Sequence, residues 1–190
     1  VVKVEILQQP TLEVITIDEV KDQLKIEDNE EDSLLLQYLE TATVHAEDYA
    51  GIYIRTRPIK FWFDDFPSVD LKLYASPITA ITKVEYYDTA NVLTEYTLSD
   101  VDFDKFSGKV RPVFGKSWPS VYERYNAVGI EATSGFTVST LPTPIKQAVL
   151  MLVGHFYENR EATTSRSSEA SKEIEFAFKA LLDPYRKHVI

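Results

Sequence analysis

Several short runs in this 190-residue chain have residue types that could do chemistry. Phe114-Gly115-Lys116-Ser117 has the ending of a phosphate-binding loop, where backbone amides cradle an anion and lysine neutralises it. That loop needs glycine at the position held by Val110 and a helix where Trp118-Pro119 follows, so the run reads as a loop between strands. Asp100, Asp102 and Asp104 have the spacing that opens a calcium loop, but the required glycine and the closing bidentate glutamate are replaced by Lys105 and Arg111. A strand with one wet face explains the alternating acids as well, which leaves a metal-dependent hydrolase or nuclease a weak reading. Asp64-Asp65 is a carboxylate pair in sequence only, because neighbouring strand residues point to opposite faces. His155 lies beside an apolar helical stripe with Glu158 three residues on and no second histidine at the fourth. No G-x-S-x-G elbow is present. With no cysteine and three histidines, cysteine nucleophiles, Fe–S clusters and Cys-ligated zinc are excluded. No catalytic site, metal or cofactor is expected.

The elements that would carry these residues fall into three blocks. Pro10 and the run Leu12–Ile15 read as an arm or short strand. Thr16-Ile17-Asp18-Glu19 is a capping box opening a short helix to about Ile26. Leu34, Leu35, Tyr38, Leu39, Ala42, Ala46 and Tyr49 recur at helical spacing over about 30–50, and Gly51 supplies the stop. From Ile52 the period drops to two. Ile59, Phe61 and Phe63, then Val69 to Ala75, Val84 and Tyr86, and further short runs to Thr133 alternate between turn signals. These predict an antiparallel sheet or small barrel. A helix returns with Thr143 as N-cap and Pro144 at the first position, and runs to about Arg160. A mobile linker is expected over about 161–170, then a last helix from about Ser171 to Leu182, with Pro184 ending or kinking it. The expected fold is α+β: a small helical bundle of two N-terminal and two C-terminal helices with an inserted antiparallel β-region. We read 1–190 as a single domain, with a helical core of 16–51 and 142–188 and the β-region over 52–140.

The net charge of −10 is unevenly placed. Residues 1–50 hold three basic and thirteen acidic side chains, so this stretch alone carries the net charge, and the remaining 140 residues are balanced. Such a balance argues against a protein that binds nucleic acid by neutralising phosphates. The longest apolar stretch, Ala148 to Val153, is far short of the ~20 residues of a membrane span. The N-terminus lacks the marks of a secretory signal. A soluble, cytoplasmically made product is expected, and the missing initial Met suggests a trimmed chain. Tyr86, Tyr87, Tyr122 and Tyr125 cannot all be internal by alternation, and exposed tyrosine fits protein–protein contact.

Taken in order, these runs resemble the head–tail connector (adaptor, or head-completion) proteins of long-tailed bacteriophages and gene transfer agents. The resemblance is carried by Ile17–Ile26 with Glu30-Glu31-Asp32 and Leu34-Leu35, and by Ala42–Glu47 with Tyr49 and Gly51. It continues in Leu141-Pro142, Ile145–Ala148, Val153, His155–Glu161 and Leu182…Pro184-Tyr185-Arg186. Between these, Pro77-Ile78, Ile81–Tyr86, Gly108–Pro112, Trp118-Pro119 and Ala132–Phe136 also fit, so it spans about 16 to 187.

The resemblance implies a structural virion protein at the neck, without enzymatic activity or cofactor. It implies a self-assembled ring, twelve-fold on the portal protein, that extends the DNA channel and docks a tail or stopper protein. DNA would pass without specific binding, and no membrane is involved. Rings of this kind often form only on the portal, so a monomer in isolation is compatible with the role. A tail-assembly or other protein-binding module of the same fold is the alternative. Two site expectations follow. Phe178, Leu181, Leu182, Tyr185 and Arg186 engage the portal, as the resemblance implies for the C-terminal segment. Glu30, Glu31 and Asp32 line the lumen, where like charge keeps DNA sliding.

Overall fold

The computed structural model describes residues 3–10, 13–67, 70–160 and 167–187. It is an α+β fold of four helices and two open antiparallel sheets among the described residues. The chain divides into two compact units. One comprises Val1–Leu12 with Arg55–Gly135, the other Glu13–Ile54 with Phe136–Ile190.

The helical unit is built on α1 (Ile17–Leu24), α2 (Asp32–Ala50), α3 (Thr143–Glu158) and α4 (Ser167–Leu182). The capping box forms as the sequence predicts. The Glu19 amide donates to the Thr16 hydroxyl at 3.2 Å, and the Thr16 amide donates back to the Glu19 carboxylate at 3.0 Å. Helix α1 stops at Lys25, which adopts the left-handed conformation, slightly before the expected end. Gly51 ends α2 with φ +64, and its amide donates to the Glu47 carbonyl. At α3 the N-cap is Pro142 rather than Thr143, which is the first helical residue. The expected linker falls largely on 161–166, outside the described residues, and the last helix already runs from Ser167. Helix α4 ends at Leu182, just before Pro184 as the sequence predicts, and Asp183–Tyr185 follows as a 3-10 turn.

The stripes of these helices meet in one apolar cluster. Leu35, Leu39, Ala42 and Ala46 of α2 pack with Ile145, Ala148, Val149 and Val153 of α3 and with Phe178 and Leu182 of α4. Val14 and Ile15, read as an extended arm, are buried in this cluster ahead of α1 and form no strand. Each large side chain removed from water contributes about 1.5–3 kcal/mol. Among the described residues no helix is long and apolar enough to cross a membrane.

The second unit holds a five-stranded sheet in the order β1-β2-β8-β4-β5, and a three-stranded sheet in the order β3-β7-β6. The strands are β1 (Lys3–Ile6), β2 (Arg57–Phe63), β3 (Leu71–Lys72), β4 (Ile78–Tyr87), β5 (Leu93–Tyr96), β6 (Val101–Asp104), β7 (Lys109–Pro112) and β8 (Val128–Ser134). Register follows the predicted alternation. Ile59 faces Ala132 and Phe61 faces Ile130, which in turn faces Val84. Of the run expected from Val69 to Ala75, whose first residue lies outside the described residues, the part from Asp70 on keeps only the two paired residues of β3.

The opposite face of the larger sheet is charged but not open. Lys60 pairs with Glu85 and with Glu131, the latter at 3.1 Å, while Lys83 reaches Glu85 at 2.7 Å. Lys60 and Glu85 are 8% and 4% exposed, so each covers the other. Burial pushes the Glu85 carboxyl up, but hydrogen bonds from Lys60 and Lys83 outweigh it and leave the group below its ordinary range. The missing side chain at Gly129 gives this ladder room, since a Cβ there would lie 2.7 Å from the Lys60 Cε.

Candidate functional site

Three acids of the first fifty residues are tied down within the helical unit. Glu19 pairs with Lys146 of α3 at 2.6 Å. Asp32 pairs with Lys21 at 2.6 Å, joining α2 to α1. Glu31 accepts a hydrogen bond from the Tyr157 hydroxyl at 2.7 Å, and its other oxygen lies 2.8 Å from the Arg160 guanidinium. Those partners, Tyr157 first, hold the Glu31 carboxyl below the usual carboxylate range. Glu30 stays exposed, and its amide is capped by the Asp28 side chain at 3.1 Å. Of the three acids expected to line a channel, two therefore fasten the start of α2 to α1 and α3, and Glu30 remains open to solvent.

The C-terminal residues expected to grip a partner divide in the same way. Phe178 is 3% exposed and Leu182 fully buried, so both belong to the helical core. The Phe178 ring stacks on His45 with centroids 5.4 Å apart and leans on Tyr49 at 5.6 Å. Leu181 and Tyr185 are half-buried against the same cluster, and Arg186 is exposed above the Tyr49 ring. The Tyr49 hydroxyl donates to Asp183 at 2.6 Å, and the Lys187 amide donates to the Ala50 carbonyl at 2.8 Å. Phe176, which the sequence reading did not single out, is 76% exposed on α4. Its signal was its place two residues off the buried Phe178, on the other side of the helix.

The residues that tempt a catalytic reading are engaged elsewhere. Asp100 pairs with Lys116 at 2.9 Å, Asp102 with Arg111 at 2.9 Å, and Asp104 accepts from the Ser107 hydroxyl at 2.6 Å. Asp64 accepts from the Asn126 amide at 2.8 Å, while Asp65 accepts from the Phe66 amide at 2.7 Å. His155 Nδ1 lies 3.1 Å from the Asn159 amide nitrogen. Among the described residues no three His, Cys, Asp or Glu side chains converge as metal ligands would. Gly115-Lys116 lies in a turn closed by the Lys116 amide on the Val113 carbonyl, so no helix N-terminus is available to a phosphate.

The exposed surface is instead rich in aromatics. Tyr122 and Tyr125 are 45% and 85% exposed, and Phe106 and Phe114 protrude from loops on the three-stranded sheet. Phe66 and Trp118 stack at 4.4 Å with planes 7° apart. The Trp118 indole N–H is buried with no acceptor among the described residues, so the ring is held by packing. Arrangements of this kind suit contact with other proteins.

Comparison with known proteins agrees with this character. Three solved structures align over nearly the whole chain at 21% identity. One is a virion of a native gene transfer agent particle, with TM-score 0.76, covering 98% of this chain and 96% of that one. Another is the neck of an empty gene transfer agent particle computed with C6 symmetry, with TM-score 0.77, 99% and 97% coverage. The third is the neck of a native particle computed with C12 symmetry, with TM-score 0.75 and the same coverage. At this identity the likeness establishes the fold. No curated protein sequence matches significantly. The family model described as phage gp6-like head-tail connector protein matches residues 14–100 and 122–186, passing over 101–121. With both helical halves and most of the sheet inside that match, the chain belongs to the phage gp6-like head–tail connector family.

Proposed function

We propose that the protein is a structural subunit of a virion neck. Copies assemble as a ring on the portal, extend the DNA channel and present a docking surface to a tail or stopper protein. Family membership across both units carries this reading. The similarity to chains from neck assemblies computed with C6 and C12 symmetry supports a ring, twelve-fold on the portal. The role is non-enzymatic, and the engaged acids at Asp100–Asp104 support that.

Within this role, α4 and its 3-10 turn meet the portal through exposed side chains, Phe176 and Arg186, with Leu181 and Tyr185 at the edge. Phe178 and Leu182 anchor the helix to its own core. The acidic turn before α2, with Glu30 outermost, faces the lumen, where negative charge keeps DNA from adhering.

The experiment is to mix the full chain with the portal protein of its own particle and image the product by negative stain. A ring of added density on the portal is expected, reduced by a Phe176→Asp/Arg186→Glu variant that still folds. Absence of binding by the wild-type chain would overturn the portal role. Binding to a tail protein alone would favour a tail-assembly module.

A further inference from the structure

Residues 101–121, which the family match passes over, carry β6, β7 and the loop that follows. At one end of β7 the hairpin tip presents Phe106, 86% exposed. The tip is rigid. The Asp104 carboxylate accepts from the Phe106 amide at 3.0 Å and from the Ser107 hydroxyl at 2.6 Å, and the Asp104 carbonyl accepts from the Gly108 amide at 2.8 Å. Gly108 has φ +69, and a Cβ there would lie 2.9 Å from the Leu73 carbonyl oxygen, so the turn requires glycine. Lys105 flanks the knob, its ammonium 5.2 Å from the Phe106 ring centroid. An aromatic held outward on a preorganised turn loses little freedom when a partner covers it.

At the other end of β7, Pro112 belongs to the wall of an open concavity of about 1360 Å³. Its apolar lining includes the stacked Phe66 and Trp118, Pro119 and the exposed Tyr125. Asp64, Asp65 and Glu123 line it too. Lys116 is neutralised by Asp100 at 2.9 Å, and Arg124 keeps its charge over the Tyr87 ring at 3.8 Å. The three acids of the lining outnumber that one unneutralised base, so the concavity is net negative, opposite to Lys105.

Knob and socket thus sit at opposite ends of one four-residue strand. At about 3.3 Å per residue those ends are roughly 10 Å apart, farther than a phenylalanine side chain reaches, so a molecule does not fill its own socket. We infer that the Phe106 tip of one copy seats in the Trp118 concavity of a second copy, with Lys105 facing Asp64, Asp65 and Glu123. Such a contact is heterologous. Each copy gives its knob to one neighbour and its socket to the other, which builds a closed ring when the rotation permits. The inference deepens the ring in the proposed function and rests on that reading, but the contact itself needs no portal.

The absence of cysteine makes the test direct. A Ser107→Cys/Ser120→Cys double variant, which keeps the Phe106 ring, is oxidised mildly, free at high concentration and bound to portal, then run on a non-reducing gel. A ladder of multimers is expected, and a mixture of the two single variants should give a heterodimer. Phe106→Ala, left without cysteines, should weaken self-association by about tenfold or more in sedimentation velocity, while Phe176→Ala leaves it unchanged. No ladder in either setting, or only like-with-like dimers in the single-variant mixture, overturns the contact. A ladder from free protein that fails to bind portal would refute the portal role and leave the contact standing.

Discussion

At the scale of single residues, charge works here mainly as a fastener. Glu19, Glu31 and Asp32 each hold a cation or hydroxyl from another part of the helical unit. Glu31 carries a testable consequence. Its folded-state pKa is depressed, so its contribution is present above the ordinary glutamate value of ~4.3 and is lost as pH falls through the lower folded value. The urea midpoint of the wild type should therefore drop more steeply below about pH 5 than that of Glu31→Gln. Parallel curves would mean that the Tyr157 and Arg160 contacts do not persist in solution. The acid-rich opening was legible from the sequence. Its pairing was not, because Lys146, Tyr157 and Arg160 lie more than a hundred residues away along the chain.

At the scale of elements, α4 is the instructive case. Periodicity placed Phe178, Leu181 and Leu182 on one stripe, and a stripe fits a partner as readily as it fits the core. The structure turns Phe178 and Leu182 inward and leaves Phe176 on the surface. Phe178→Ala should lower stability by about 3–5 kcal/mol in urea unfolding, as for other buried phenylalanines. Phe176→Ala should stay within about 0.5 kcal/mol of wild type yet weaken portal binding in a pull-down. Equal stability losses for the two variants would contradict this division of the helix. Strands with strict alternation, such as β2 and β8, were legible in advance. The N-terminal strand was misplaced, because Lys3–Ile6 gains its strand character from pairing with β2 rather than from its own pattern. The start of α4 at Ser167 was equally hidden, since Ser and Glu carry little apolar periodicity.

At the scale of the whole molecule, the balance of charge has a direct consequence for DNA. A net charge of −10, with its surplus before Gly51, disfavours the counterion release that drives phosphate binding. Gel retardation with duplex DNA at low salt should show no shift, and a salt-sensitive shift would reveal a basic surface that the charge count conceals. The sequence by itself determined the class: helices around an inserted antiparallel region, no cysteine chemistry, and motif order specific enough to resemble head–tail connectors. The first two follow from local spacing and composition, which are written along the chain, and the third is a resemblance carried by the order of the quoted runs. Only the tertiary structure decided which acids are tied and which remain open, which side of α4 faces solvent, and that Phe106 and the Trp118 concavity lie at opposite ends of one strand. Those outcomes depend on contacts between residues distant in sequence, and on burial, which no local pattern records.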